Sequence, residues 1–318
     1  MAEQNAHRCG LVALIGAPNV GKSTLVNALV GTKVSIVTPK VQTTRALLRG
    51  IAIEGAAQLI FVDTPGVFAP RRRLDRAMVS TAWGSAQDAD IVILLIEARK
   101  GLGGDDEAVL RGLSDVSAKK ALVLNKIDLV AKPTLLALTQ ALNAREKFAA
   151  TFMISALSGD GVPDLKSWLA AEVPAGPWLY PADQVSDAPL RQFAAEITRE
   201  KLYLRLHQEL PYQSTVETEV WKELKDGAVR IEQTIYVERE SQRKIVLGKG
   251  GQTIRRAAPP RAPISPRQSR TPYTFSCSSR CGRAGVTIRS AIARWAWSFR
   301  GSDSIGQPMI PLRHPERM

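Results

Sequence analysis

The stretch GAPNVGKS, residues 16–23, decides how the first half of this chain folds. It fits the pattern G-x-x-x-x-G-K-S, and its surroundings fit as well. LVALIG (11–16) before it reads as a buried strand ending in a glycine turn, and Ser23 to Val30 after it reads as a helix. In that setting glycines let backbone N–H groups turn inward around phosphates, and the helix N-terminus adds its dipole. Phosphate contacts are expected from Gly16, Asn19, Val20, Gly21, Lys22, Ser23 and Thr24. Lys22 would reach the β and γ phosphates as a point charge, and the Ser23 hydroxyl would ligate Mg²⁺.

Working outward, AAQLIFVDTPG (56–66), DADIVILLIEA (88–98), KKALVLNKID (119–128) and ATFMISAL (150–157) repeat the pattern of an apolar strand followed by a helical segment. Such alternation implies an α/β domain with a mostly parallel sheet covered on both faces. Ligands of such sheets sit at the carboxyl ends of the strands, where each of the next motifs falls.

DTPG (63–66) ends one of these strands. Asp63 would hold Mg²⁺ through water, and the Gly66 N–H would sense the γ-phosphate. Thr43-Thr44 lies in the loop between, and one of the two hydroxyls would complete the metal shell. NKID (125–128) would select the base: an Asp128 carboxylate accepts two hydrogen bonds from guanine, whereas adenine would leave it unpaired. Asn125 and Lys126 would brace that loop and cover the ring. Ser155-Ala156-Leu157 would offer a backbone N–H to the guanine oxygen, with Ser155 and Ala156 counted as guanine-binding. Together these motifs imply GTP binding and hydrolysis. The residue after Gly66 is Val67, whose apolar side chain cannot orient an attacking water, so no catalytic residue is assigned and slow, partner-stimulated turnover is expected.

At 318 residues the chain has room for about two domains. No apolar run reaches the roughly 18 residues of a membrane span, and LVALI is too short for a signal peptide. Cys9, Cys277 and Cys281 form a sparse, odd set that points to free thiols in a reducing compartment rather than to disulfides or a zinc site. The net charge of +13 invites a nucleic-acid reading. Its distribution weakens that reading, because residues 255–318 hold twelve arginines, no lysine and two acids, leaving the first 254 residues at only +3.

PAGPWLYPADQVSDAP (174–189), with four prolines, reads as a linker. PLRQFAAEITREKLYLRLHQEL (189–210) reads as an amphipathic helix with Asp187 as its cap. STVETEVWKEL (214–224) and AVRIEQTIYVE (228–238) alternate as a β-hairpin around Lys225-Asp226-Gly227. The apolar run of RKIVLGKGG leads into a G-x-x-G loop, after which periodicity is lost.

QTTR (42–45), DTPGVFAPRRRLDRAMVSTAW (63–83), DADIVILLIEA, NKID, ISAL, LRQFAAEITREKLYLRLHQELPY and IVLGKGGQTI together resemble the bacterial Era GTPases over residues 8 to 254. The resemblance implies a GTPase domain (8–175), a linker (176–188) and a type II KH domain, incomplete here (189–254). It favours Thr44 over Thr43 as the metal-shell hydroxyl. It further implies GTP/GDP and Mg²⁺ as cofactors, binding to the 3′ end of 16S ribosomal RNA, a role in 30S subunit assembly, and a cytoplasmic monomer partly peripheral at the inner membrane. Gly248, Lys249, Gly250 and Gly251 would form the RNA clamp, glycines allowing close backbone approach and Lys249 meeting a phosphate. Arg71-Arg72-Arg73 reads as a solvated face rather than an RNA contact.

A KH domain requires a helix and another strand after G-x-x-G. Pro259, Pro260, Pro263 and Pro266 forbid that helix, so the tail 255–318 is expected to be disordered. Starting each codon at its third base, PYTFSCSS (272–279) can encode V-H-L-F-L-F-V, an apolar strand. TIRSAIARWAWSFR (287–300) can encode D-P-E-R-Y-R-A-M-G-L-E-F-P, which resembles the end of the same family. Both matches share one frame, which points to a frameshift soon after Ile254 and to impaired RNA binding. Two other function classes compete on the sequence: an RNA-binding or RNA-chaperone protein with a regulatory nucleotide site, and a GTPase of tRNA modification, for which Cys277 and Cys281 are poorly placed.

Overall fold

A computed structural model describes residues 7–40, 43–45, 47–70, 73–206, 210–223, 229–249, 252–253, 274–282 and 285–293. The chain divides into two compact units, Met1–Ala188 and Pro189–Met318.

In the first unit, β1 (Arg8–Ile15) runs through the phosphate loop into α1 (Lys22–Val30), which Gly31 closes in the left-handed conformation with its N–H on Asn27 O. β2 (Leu48–Glu54) and β3 (Ala57–Asp63) form the antiparallel hairpin, turned at Gly55 with φ +58°. Then follow α2 (Arg73–Gln87), β4 (Ile91–Glu97), α3 (Gly104–Leu113), β5 (Lys119–Asn125), α4 (Lys132–Asn143), β6 (Ala150–Ile154) and α5 (Val162–Glu172). The strand order is β2-β3-β1-β4-β5-β6, and every pairing except β2–β3 is parallel. β3 and β4 are buried along their whole length, as a sheet covered on both faces demands. One apolar layer packs Leu25 and Leu29 of α1 and Leu165 and Leu169 of α5 under the sheet. The other packs Ala82, Val109 and Leu135 from α2, α3 and α4 above it. Because β1 lies between β3 and β4, connections diverge on either side of its carboxyl end and leave a crevice there.

The proline-rich segment is no free linker. It straps the edge of the hairpin: Ile51 N donates to Val185 O at 2.9 Å, Trp178 Nε1 to Ala56 O at 3.0 Å, and Asp187 pairs with Arg49 at 3.1 Å. Fully buried Gln58 anchors the strap, accepting from the Leu179 and Tyr180 N–H groups and donating to Tyr180 O. Asp187 therefore does not cap the following helix. Its carboxylate takes the Arg49 N–H and guanidinium instead, and Pro189 stands at the N-cap position with no side-chain cap.

In the second unit, α6 (Leu190–Arg205) packs on a hairpin of β7 (Ser214–Glu223) and β8 (Val229–Val237). Thr198 of the helix donates to Gln233 of the sheet at 2.6 Å, a buried polar pair. The turn at Lys225-Asp226-Gly227 lies outside the described residues. The run before the G-x-x-G loop is a helix, α7 (Glu240–Leu247), whose Gln242 Oε1 accepts from the Glu238 and Arg239 N–H groups and caps its start.

Within the stretch expected to be disordered, two segments are strands: β9 (Thr274–Gly282) and β10 (Gly285–Ala293). β9 pairs parallel to β8, with Arg230 opposite Thr274, and β10 runs antiparallel to β9. Over those two segments the tail departs from the expected disorder. Ladder hydrogen bonds use the backbone alone, and the prolines that forbid a helix all precede Thr274 or follow Ala293. Residues 254–273 and 294–318, and the Cys277 and Cys281 side chains, lie outside the described residues.

Candidate active site

The motif residues of the first unit follow the carboxyl ends of β1, β3, β5 and β6. The phosphate loop wraps a cavity of about 470 Å³ lined by, among others, Asn19, Gly21, Lys22, Ser23, Thr44 and Gly66. Close approach explains three glycines. A Cβ on Gly16 would lie 2.4 Å from Leu95 O, one on Gly66 2.9 Å from Pro18 Cα, and one on Gly21 (φ +105°) 2.3 Å from Asn125 Nδ2. Lys22 is folded over the loop, its Nζ donating to Gly16 O and Ala17 O, each at 2.9 Å. Burial pushes its ammonium down to about 8, although Asp63 and Asp106 pull the other way.

The Asn125–Asp128 loop is bolted to the phosphate loop. Asn125 Nδ2 donates to Val20 O at 2.8 Å, and Asn125 Oδ1 accepts from Ala156 N at 2.9 Å. Lys126 Nζ donates to Asn19 O at 2.9 Å and to Glu97 Oε2 at 2.8 Å. Asn19 and Lys126 are the two non-glycine residues with positive φ among those described, so the interlock holds both loops in an unfavoured backbone region. Burial raises the Glu97 carboxyl, but Lys126 and Lys100 outweigh it and hold the group below its usual range. Asp128 is exposed in a short 3₁₀ turn, Ile127–Leu129, its carboxylate open to a ligand. The Ser155 N–H goes to Asp160 O at 3.0 Å. Of the tripeptide's amides, those of Ser155 and Ala156 thus serve the protein's own loop, and the next residue, Leu157, is 86% exposed.

Across the cavity, Asp63 Oδ2 accepts from three hydroxyls: Ser23 at 2.8 Å, Ser35 at 2.5 Å and Thr44 at 3.1 Å. Thr44 also meets Ser23 at 3.0 Å, whereas Thr43 turns to Thr38 and Lys40 O. Asp63 Oδ1 is buried with no protein partner. Burial raises the Asp63 carboxyl above its ordinary range, against the hydroxyls and Lys22. A buried carboxylate with an unspent oxygen beside two hydroxyls suits Mg²⁺, a hard cation that keeps several waters. Val67 is buried in the core, and its N–H donates to Gly16 O at 3.1 Å, so neither its side chain nor its amide is available to a water.

In the second unit, Gly248 has φ +69°, and a Cβ there would lie 2.2 Å from Thr253 Oγ1, so only glycine lets the loop fold back on the next turn. Lys249 follows it. Gly250 and Gly251 lie outside the described residues, as do Arg71 and Arg72, while Arg73 is exposed at the start of α2. Motif reading missed Glu97, Ser35 and Asn27. None carries a local signature, and their partners are distant in sequence.

Residues 11–126 match the 50S ribosome-binding GTPase family and residues 209–258 the KH domain family. The chain is 68% identical over 257 residues to GTPase Era of Afipia carboxidovorans, covering 80% of this chain and 83% of that protein. It is 69% identical over 250 residues to GTPase Era of Bradyrhizobium diazoefficiens, covering 79% and 81%. A crystal structure of Era in complex with MgGDPNP and nucleotides 1506–1542 of 16S ribosomal RNA superposes with a TM-score of 0.75 at 35% identity, over 79% of this chain and 86% of that one. With that identity over four fifths of both chains, and a GTPase match followed by a KH match, this chain belongs to the Era family of GTPases.

Proposed function

We propose that this GTPase is a switch acting on the small ribosomal subunit. On this reading GTP orders Thr44 and the Asp63–Gly66 loop, and the second unit engages the 3′ region of 16S ribosomal RNA during 30S assembly. The observation that carries the nucleotide half is the double bolt from Asn125 and Lys126 to the carbonyls of Val20 and Asn19. It ties base selection to phosphate binding in one rigid pocket. Lys22, the loop amides and Gly66 would hold the phosphates. Ser23 and Thr44 would ligate Mg²⁺, with Asp63 reaching it through water, and Asp128 would pair with guanine. The metal would neutralise charge developing on the phosphates. The RNA half is supported by the related Era structure that carries 16S nucleotides, together with Gly248 at the head of the G-x-x-G loop. The reading places the protein in the cytoplasm with partial peripheral association at the inner membrane.

RNA binding by this particular chain is proposed to be impaired. The KH match stops at residue 258, the proline run begins at Pro259, and a frameshift after Ile254 accounts for both. Sequencing the gene across codons 250–260 tests the frameshift. Lys22→Ala tests the switch: GTP hydrolysis is expected to vanish, with whatever RNA binding the chain has left intact. Hydrolysis that survives in the variant would remove the phosphate-loop reading.

A further inference from the structure

Of the three hydroxyls on Asp63 Oδ2, two belong to motif positions and one does not. Ser35 lies between α1 and the Thr43-Thr44 loop, outside every motif, and is 97% buried. Its hydroxyl is not there by chance of rotamer, because its backbone is clamped. Asn27 Nδ2 donates to Ser35 O at 2.8 Å, while Asn27 Oδ1 accepts from Val34 N at 2.9 Å and Ser35 N at 2.8 Å. Asn27 stands on α1 one turn beyond Ser23, so a single rigid helix sets two of the three hydroxyls that meet the carboxylate.

We propose that Ser35, held by Asn27, is a positioning residue for the metal-shell carboxylate. Its hydroxyl anchors the Asp63 carboxylate through Oδ2, so that the carboxylate would be held in place to accept from a metal-bound water. Outer partners of this kind fix the orientation of a ligating group and tune its affinity for the ion. The inference rests on the metal site proposed above. Ser23 and Thr44 would turn their oxygens to the ion, and Thr44 would do so only with triphosphate. Ser35 carries no such duty, so its anchor holds with either nucleotide.

The test is Mg²⁺-dependent release of a fluorescent GDP from the full-length protein. For Ser35→Ala, the Mg²⁺ concentration that half-maximally slows release is expected to rise roughly tenfold or more. GDP affinity in excess chelator should be unchanged, because buried Ser35 does not line the cavity. Asn27→Ala is expected to shift the midpoint in the same direction. A parent-like midpoint in Ser35→Ala overturns the assignment, and so does a loss of GDP affinity in chelator, which would mark Ser35 as merely structural. Release from the parent protein that ignores Mg²⁺ overturns the metal site itself.

Discussion

The Asn125 side-chain amide lies directly over Gly21: its Nδ2 reaches Val20 O at 2.8 Å, and a Cβ on Gly21 would stand 2.3 Å from that same nitrogen. One missing methyl group thus lets the guanine loop brace the phosphate loop. Gly21→Ala combines that clash with strain at φ +105°. Strain of this size costs about 1–3 kcal/mol, so GDP affinity should drop about 10- to 100-fold. Equilibrium nucleotide titration checks this, with circular dichroism to show that the helices remain.

Lys22 predicts a pH dependence. Its pKa in the free pocket is held down to about 8, against 10.5 for an ordinary lysine. Anionic phosphates favour the charged form, so binding above about pH 8 must take up a proton, and below it need not. Nucleotide affinity should therefore weaken as pH rises past 8, by at most about tenfold per unit. Calorimetry in buffers of different ionisation heat should show uptake approaching one proton at about pH 9 and little at about pH 7. For folding of the empty protein the sign is opposite: the unfolded chain binds the extra proton between pH 8 and 10.5, so Lys22 adds stability as pH rises through that window.

Asp128 stands exposed in its turn, where its carboxylate would accept from guanine. Asp128→Asn exchanges one acceptor for a donor. GTP affinity should fall roughly 100-fold or more, and xanthosine triphosphate, which offers a carbonyl where guanine has an amino group, should gain. Competition between the two nucleotides reads the switch directly.

Gln58→Leu tests the strap. It removes the acceptor of the Leu179 and Tyr180 N–H groups and the donor to Tyr180 O. A cost of roughly 1–3 kcal/mol is expected, with faster proteolysis within residues 176–188. Asp187→Ala, which removes a half-exposed ion pair with Arg49, should cost under about 1 kcal/mol.

Twelve arginines after residue 254 should still attract RNA, without sequence preference. The full chain is expected to bind a 16S 3′-end oligonucleotide and its scrambled version alike, and both complexes should dissolve steeply with salt. A salt-resistant complex with the 16S oligonucleotide alone would contradict the impairment.

Much of the first unit was legible because its signals are local. The phosphate loop needs its glycines and Lys22 in one octapeptide, and the strands announce themselves as apolar runs buried on both faces. Legibility failed where a residue's partner is far along the chain. Asp187 has the look of a helix cap, yet its partner Arg49 is 138 residues away. The eight-residue α7 is too short to display a helical period against the apolar run that ends it. β9 is held by backbone pairing with β8, to which its side-chain pattern gave no clue.

The sequence by itself therefore determined the fold class, the family and, with them, a guanine nucleotide, since each is written in contiguous residue types with one chemical use. Only the tertiary structure decided what holds those residues still. Glu97 under Lys126, Asn27 behind Ser35, Ser35 on Asp63 and Gln58 beneath the strap are polar pairings with at least one buried partner, made where desolvation forces that partner to find its complement. Such pairings depend on which elements the sheet brings together, and no local pattern records them.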